Sequence, residues 1–161
     1  QCVPNCAGLG LCRLTIDGKG SRHATNESFR AYQVIQVVTT DFVVFIKTGS
    51  VILSPRQINT VWTGFGGGCE ANDDGDPVVV YDKIAQRWFI GQFSVGTTPY
   101  LYCAAVSTTS DPTGSYNRYS FNYGGVDFPD YPKVGLWPDA YLPPFTIFAN
   151  GKNFIGAKAC A

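Results

Sequence analysis

Apolar residues in this chain fall in short runs divided by turn-forming clusters, and no stretch sustains the 3.6-residue period of an amphipathic helix. The runs Tyr32–Val38 and Asp41–Ile46 are rich in β-branched and aromatic residues and predict two strands. Lys47-Thr48-Gly49-Ser50 then turns the chain into Val51–Leu53. Four further strands are predicted at Val78–Tyr81, Trp88–Phe93, Leu101–Ser107 and Tyr116–Asn122, with turns at Asp82-Lys83, Gly96-Thr97 and Asp111-Pro112-Thr113-Gly114. A last pair, Leu142–Phe148 and Phe154–Cys160, flanks Asn150-Gly151, a hairpin signal. The glycine run Gly64–Cys69 and the acidic turn Glu70–Gly75 read as a long loop between sheets, and no helix is expected anywhere.

Two stretches echo each other roughly 55 residues apart, a spacing close to that of strand-bearing repeats. Gly75-Asp76-Pro77-Val78-Val79-Val80-Tyr81-Asp82 followed by Arg87–Phe93 corresponds to Asp130-Tyr131-Pro132-Lys133-Val134-Gly135-Leu136-Trp137 followed by Ala140–Phe145. Several short strands per repeat predict an all-β fold of antiparallel four-stranded β-propeller blades. The division is a partial blade over 30–63, a full blade over 75–123 and a partial blade over 130–161, after a cysteine-containing leader over 1–29. Propellers typically close with four or more blades, so this much chain makes a partial ring or part of a larger one. More polypeptide, further copies or a partner strand would then cover the open edges. A β-sandwich of two antiparallel sheets uses the same strand and turn vocabulary and is the alternative.

Composition narrows the function classes. At 161 residues and 45% hydrophobic, the chain can fill a core. Charged residues make up 15% and cancel to a net charge of zero, so nothing supplies the clustered cations a nucleic-acid surface needs. Six cysteines and the start at Gln1-Cys2 without any methionine predict a processed product of an oxidising compartment, secreted or at the cell surface. No apolar run reaches the length that spans a membrane as a helix.

A family resemblance rests on the repeat segment Gly75–Asp82, on Arg87-Trp88, Gln92-Phe93 and Cys103–Ser107, and on Asp111–Tyr116 and Phe128–Tyr141. Over roughly residues 31 to 161, the chain resembles large secreted bacterial proteins with sialidase-like β-propeller repeats. The resemblance implies a propeller and an extracellular address more than a reaction.

Candidate chemistry is sparse. Asp73, Asp74 and Asp76 around Gly75 offer oxygen ligands for Ca²⁺, without EF-hand spacing; the competing reading is a solvated turn. Glycoside hydrolysis needs two carboxylates about 5 to 9.5 Å apart across a cleft, and Asp76, Asp130 and Asp139 lead strands that would converge near a propeller axis. The arginines that would hold an anionic sugar are scattered, and Arg87 reads as a structural partner of Asp82. The single histidine, His23, leaves a nucleophile triad without a placed base. The composition therefore leans away from an enzyme and toward binding or assembly with protein subunits, with a glycan-binding lectin or propeller glycosidase as the alternative. Tyr100, Tyr123 and Tyr141 stand beside loops as candidate contacts for a partner or a glycan. Cys69 and Cys103 are expected to pair, pinning the glycine loop to a strand, while Cys2, Cys6, Cys12 and Cys160 have several possible pairings. Asn26-Glu27-Ser28 matches a glycosylation sequon at Asn26.

Overall fold

The computed structural model describes residues 25–30, 33–123 and 125–159. Cys2, Cys6, Cys12, His23 and Cys160, and with them most of the expected leader, lie outside the described residues. The described chain is mostly β. The first sheet contains β1 (Thr25–Arg30), β2 (Gln33–Val38), β3 (Asp41–Ile46) and β4 (Val51–Gln57), antiparallel and in chain order. Its strands begin inside the segment read as a leader, since β1 pairs along its whole length with β2.

Alternation sorts the first sheet's side chains. Ile35 lies opposite Val44 and Val37 opposite Phe42, and these four enter one core. Val34, Val43 and Phe45 point the other way and form a separate buried cluster. The edge strand β4 is irregular, with register shifts against Phe42, Val44 and Phe45, and most of it is exposed.

The central sheet contains β5 (Val78–Asp82), β6 (Arg87–Ser94), β7 (Leu101–Ser107) and β8 (Tyr116–Asn122), again antiparallel and in chain order. Both of its faces are covered over β5, β6 and β7, whereas β8 is largely exposed. Val79, Trp88, Ile90, Cys103 and Ala105 join the core of the first sheet. Phe89, Phe93, Tyr102 and Ala104 face the opposite way and pack on Phe145 and Ile147. Double coverage explains why Trp88–Phe93 reads as an apolar run interrupted only by Gln92, itself buried: each position faces a core, so no regular polar alternation appears. Trp88 is fully buried and its indole N–H still finds a partner, donating to the Ser110 carbonyl at 3.0 Å.

The third sheet runs β13-β12-β9, from β9 (Phe128–Asp130), β12 (Pro144–Ala149) and β13 (Asn153–Ala159). Between β9 and β12 the chain makes a separate hairpin of β10 (Gly135–Trp137) and β11 (Ala140–Leu142). The sequence echo therefore has a limited structural counterpart. Asp76 and Tyr131 both take left-handed backbone conformations, with φ of 42° and 57°, immediately before Pro77 and Pro132. After that point β5 and β6 join the central sheet, whereas β10 and β11 pair only with each other. The strand expected at Leu142–Phe148 divides at Pro143, whose ring leaves no N–H for a ladder.

The loop expected over Gly64–Gly75 has helical content, which corrects the all-strand expectation. Ile58–Trp62 forms a 3₁₀ turn that buries Ile58 and Trp62, and α1 (Gly67–Ala71) buries Cys69. Gly66 and Gly67 enter that turn at φ of 81° and 68°, which glycine adopts without strain. Cys69 and Cys103 do pair, with Cα atoms 5.7 Å apart and a sequence separation of 34. Closing a loop of that length restricts the unfolded chain by about 3–4 kcal/mol in the chain-entropy account.

These three sheets stack as successive layers and do not by themselves make a closed ring. A tight point in the stack is Gly91, opposite Ala104, where an added Cβ would meet the Tyr102 hydroxyl and ring carbon Cζ. Tyr102 is fully buried, with its ring 4.8 Å from Phe145 and its hydroxyl without a hydrogen-bond partner. Gly91→Ala should destabilise the protein by about 1–3 kcal/mol in urea unfolding, the usual cost of overpacking. Tyr102→Phe removes the orphaned hydroxyl and should be neutral or stabilising, and in that background Gly91→Ala should cost less. Equal costs in the two backgrounds would contradict this packing.

Candidate functional site

The acidic turn is built by its neighbours. Glu70 accepts from the Gly64 and Gly66 N–H groups at 2.9 and 2.7 Å, which folds the glycine loop back on α1 and holds the Glu70 carboxyl below its ordinary pKa. Arg118 fastens the same loop to β8, donating to the Thr63 carbonyl at 2.6 Å and lying over the Phe65 ring. Asn72 then donates to the Ser94 hydroxyl at 2.8 Å.

From this frame the three aspartates proposed as Ca²⁺ ligands serve different neighbours. Asp74 accepts from the Val95 and Gly96 N–H groups at 2.6 and 2.7 Å and so ties the turn to the loop after β6. Asp73 lies near Asp41 at the start of β3, and Asp76 lies near Asp130 and Lys133. Among the described residues, no group of three or more acidic, histidine or cysteine side chains is placed to hold a metal ion.

Asp76 and Asp130, predicted to converge, do feel each other. Burial first, and then the Asp130 charge, raises the Asp76 pKa, while Lys133 opposes the rise. Asp130 also accepts from the Tyr131 N–H at 2.8 Å. Asp139 is not with them. It lines a groove of about 390 Å³ together with Tyr141, on the face of the central sheet covered by the β10–β11 hairpin.

The three candidate tyrosines are each partly buried. Tyr100 packs edge-on to Phe128 at 6.1 Å, and Tyr123 lies 4.9 Å from Phe145, both in the seam between central and third sheets. Tyr141 packs on Phe89 at 5.5 Å and donates its hydroxyl to Asp82 at 3.0 Å. Burial and that bond push its pKa up to about 12. The Asp82 carboxylate also accepts from the Ile84 and Ala85 N–H groups, an Asx-type turn that joins β5 to β6. Arg87, in register with Asp82, instead donates to the Ala85 and Gln86 carbonyls.

Sequence reading passed over Tyr119 and Phe121 as ligand contacts. They stand on β8 at 47% and 44% exposure, and their rings lie 6.4 Å apart and within 23° of parallel. The available signal was their spacing: aromatics at i and i+2 on a strand share one face. Asn26 lies on β1 in register with Val37, so the sequon falls within a paired strand.

No protein-family model, no curated protein and no solved structure matches the chain.

The Asp73 carboxyl is held well above the ordinary carboxylate range. Desolvation by burial, followed by the Asp41 charge, raises its pKa from 3.8 to about 6, with the Asp74 charge adding and the Asn59 backbone opposing. Both carboxyl oxygens are shielded from solvent and have at most weak contacts with the Asn59 and Ile58 backbone N–H groups, although the residue itself is only partly buried. A folded pKa above the unfolded one means that the stabilising contribution is full below pH 3.8 and is lost as pH rises through about 6. Asp73→Asn should therefore raise stability at pH 7.5 by about 1 kcal/mol, a figure discounted for the site's nearness to solvent. At pH 3.5 it should change little. Urea melts at both pH values check this, and an equal effect at both would contradict it.

Proposed function

We propose that this chain is a secreted or cell-surface binding and assembly protein made of β-propeller-type blades, akin to the bacterial repeat proteins it resembles. The observation that carries the reading is an asymmetry of burial. The central sheet is covered on both faces by sheets on either side of it in the chain, whereas β13 leaves Phe154 and Ile155 at 66% and 55% exposure. A two-sheet sandwich leaves one face of each sheet to solvent, so three layers in chain order favour blades. Contact between β1 and β5, the first strands of successive sheets, is what blades meeting at their inner edges would produce.

An extracellular address is supported by the Cys69–Cys103 disulfide, and no helix among the described residues is long and apolar enough to cross a membrane. Large apolar side chains on an edge strand are a liability unless something pairs with them. In this reading the β13 edge receives a sheet of a second copy, so the ring is completed by self-association.

Native mass spectrometry of the protein in the micromolar range tests the proposal. Wild type should assemble above the 17.5 kDa of one chain, and the double variant Phe154→Lys/Ile155→Lys should return to that mass with unchanged melting temperature. A wild-type protein that remains a single chain, or an assembly indifferent to both substitutions, would overturn it.

A further inference from the structure

β8 divides its side chains by parity between two grooves. Tyr116 and Arg118 turn toward the first sheet and line, with Arg56, a cleft of about 300 Å³. The polar groups of that cleft are largely engaged within the fold. Tyr116 donates to the Pro112 carbonyl, Arg118 to Thr63, and the Thr113 hydroxyl to Asp111. Asn117, Tyr119 and Phe121 face the other way, into the groove of about 390 Å³ whose far wall is the β10–β11 hairpin with Asp139 and Tyr141. That volume is in the range of small-ligand sites, about 300–1,000 Å³.

We propose that this second groove binds a neutral, pyranose-based oligosaccharide. Its chemistry is that of a sugar subsite. Tyr119 and Phe121 present two nearly parallel rings to solvent, and the C–H face of a pyranose is an apolar surface that packs on such rings. At the rim Asn117 supplies an amide donor and acceptor and Asp139 a carboxylate acceptor. Neither side chain makes a hydrogen bond or ion pair among the described residues, so both remain available to hydroxyl groups. Among the described residues no lysine or arginine lines the groove, which leaves phosphates, uronates and nucleic acid without a counter-charge there. The wall comes from the chain's own hairpin, held in place by the Tyr141–Asp82 bond, so the site does not need the assembly proposed above.

The test is calorimetric titration of the full chain with cellotetraose, xylotetraose, mannotetraose and chitotetraose. At least one should bind saturably, with an affinity unchanged in high salt. Tyr119→Ala/Phe121→Ala should weaken it about tenfold or more, with melting temperature and native mass unaltered, since both rings are already part-exposed. Asp139→Asn should change the preference among the four sugars without changing the mass. Failure of all four to bind at millimolar concentration, or binding indifferent to the ring substitutions, would overturn the proposal. So would tighter binding of a proline-rich decapeptide, or of an anionic sugar through Arg56 and Arg118. Each of these results leaves the native mass, and hence the assembly reading, as a separate question.

Discussion

Burial of both faces of the central sheet over β5, β6 and β7 is the constraint on which the rest of the structure depends. A sheet with one wet face shows polar residues at alternate positions, whereas β6 and β7 are buried on both faces and keep few polar side chains, Gln92, Ser94 and Ser107 among them. Trp88, Ile90, Cys103 and Ala105 must fit the first sheet, while Phe89, Tyr102 and Ala104 must fit the third. Close approach then dictates small residues: Gly91 lies where Tyr102 needs room, and Ala104 and Ala105 let the neighbouring layers approach. The disulfide sits on the same sheet, joining α1 to β7, so the glycine loop is bound covalently to the most buried layer.

Acidic side chains serve mostly as connectors in this fold. Asp74 holds the loop after β6, Asp82 closes one hairpin and receives Tyr141 from another, and Glu70 folds the glycine loop. Such carboxylates satisfy backbone N–H groups that the turns leave unpaired, which is why so few charges suffice to organise long connections. Asp73 and Asp76 differ, because their carboxyls meet other carboxyls and partial burial, and their pKa values rise accordingly.

Strands were legible in the sequence where both faces are buried or a strong turn bounds them. Asp41–Ile46, Leu101–Ser107 and Tyr116–Asn122 match the expected bounds, and the Cys69–Cys103 pairing follows from the same reading. β1 was missed because Thr25–Arg30, with one aromatic and five polar or charged residues, carries little apolar signal. α1 was missed because glycine is a poor helix former, and this single turn depends on Glu70 and the disulfide. Asp76 feels the Asp130 charge, but Asp130 ends β9 instead of leading a strand as the repeat pattern expected. The groove was not legible, since β8 presents Tyr119 and Phe121 opposite a hairpin that the repeat pattern had assigned to a sheet.

A layered stack with a doubly covered centre links the architecture to both proposals. Among the described residues it leaves β13 at the edge of its sheet, and it places β8 between two grooves of different chemistry. Native-state hydrogen exchange tests that organisation most directly, because local opening energies follow burial and contact. The amides of β6 and β7 should exchange only through global unfolding, with β4 and the outward amides of an unassembled β13 exchanging first. If β2 and β3 stay protected while β6 and β7 exchange, the central sheet is not the core of this fold.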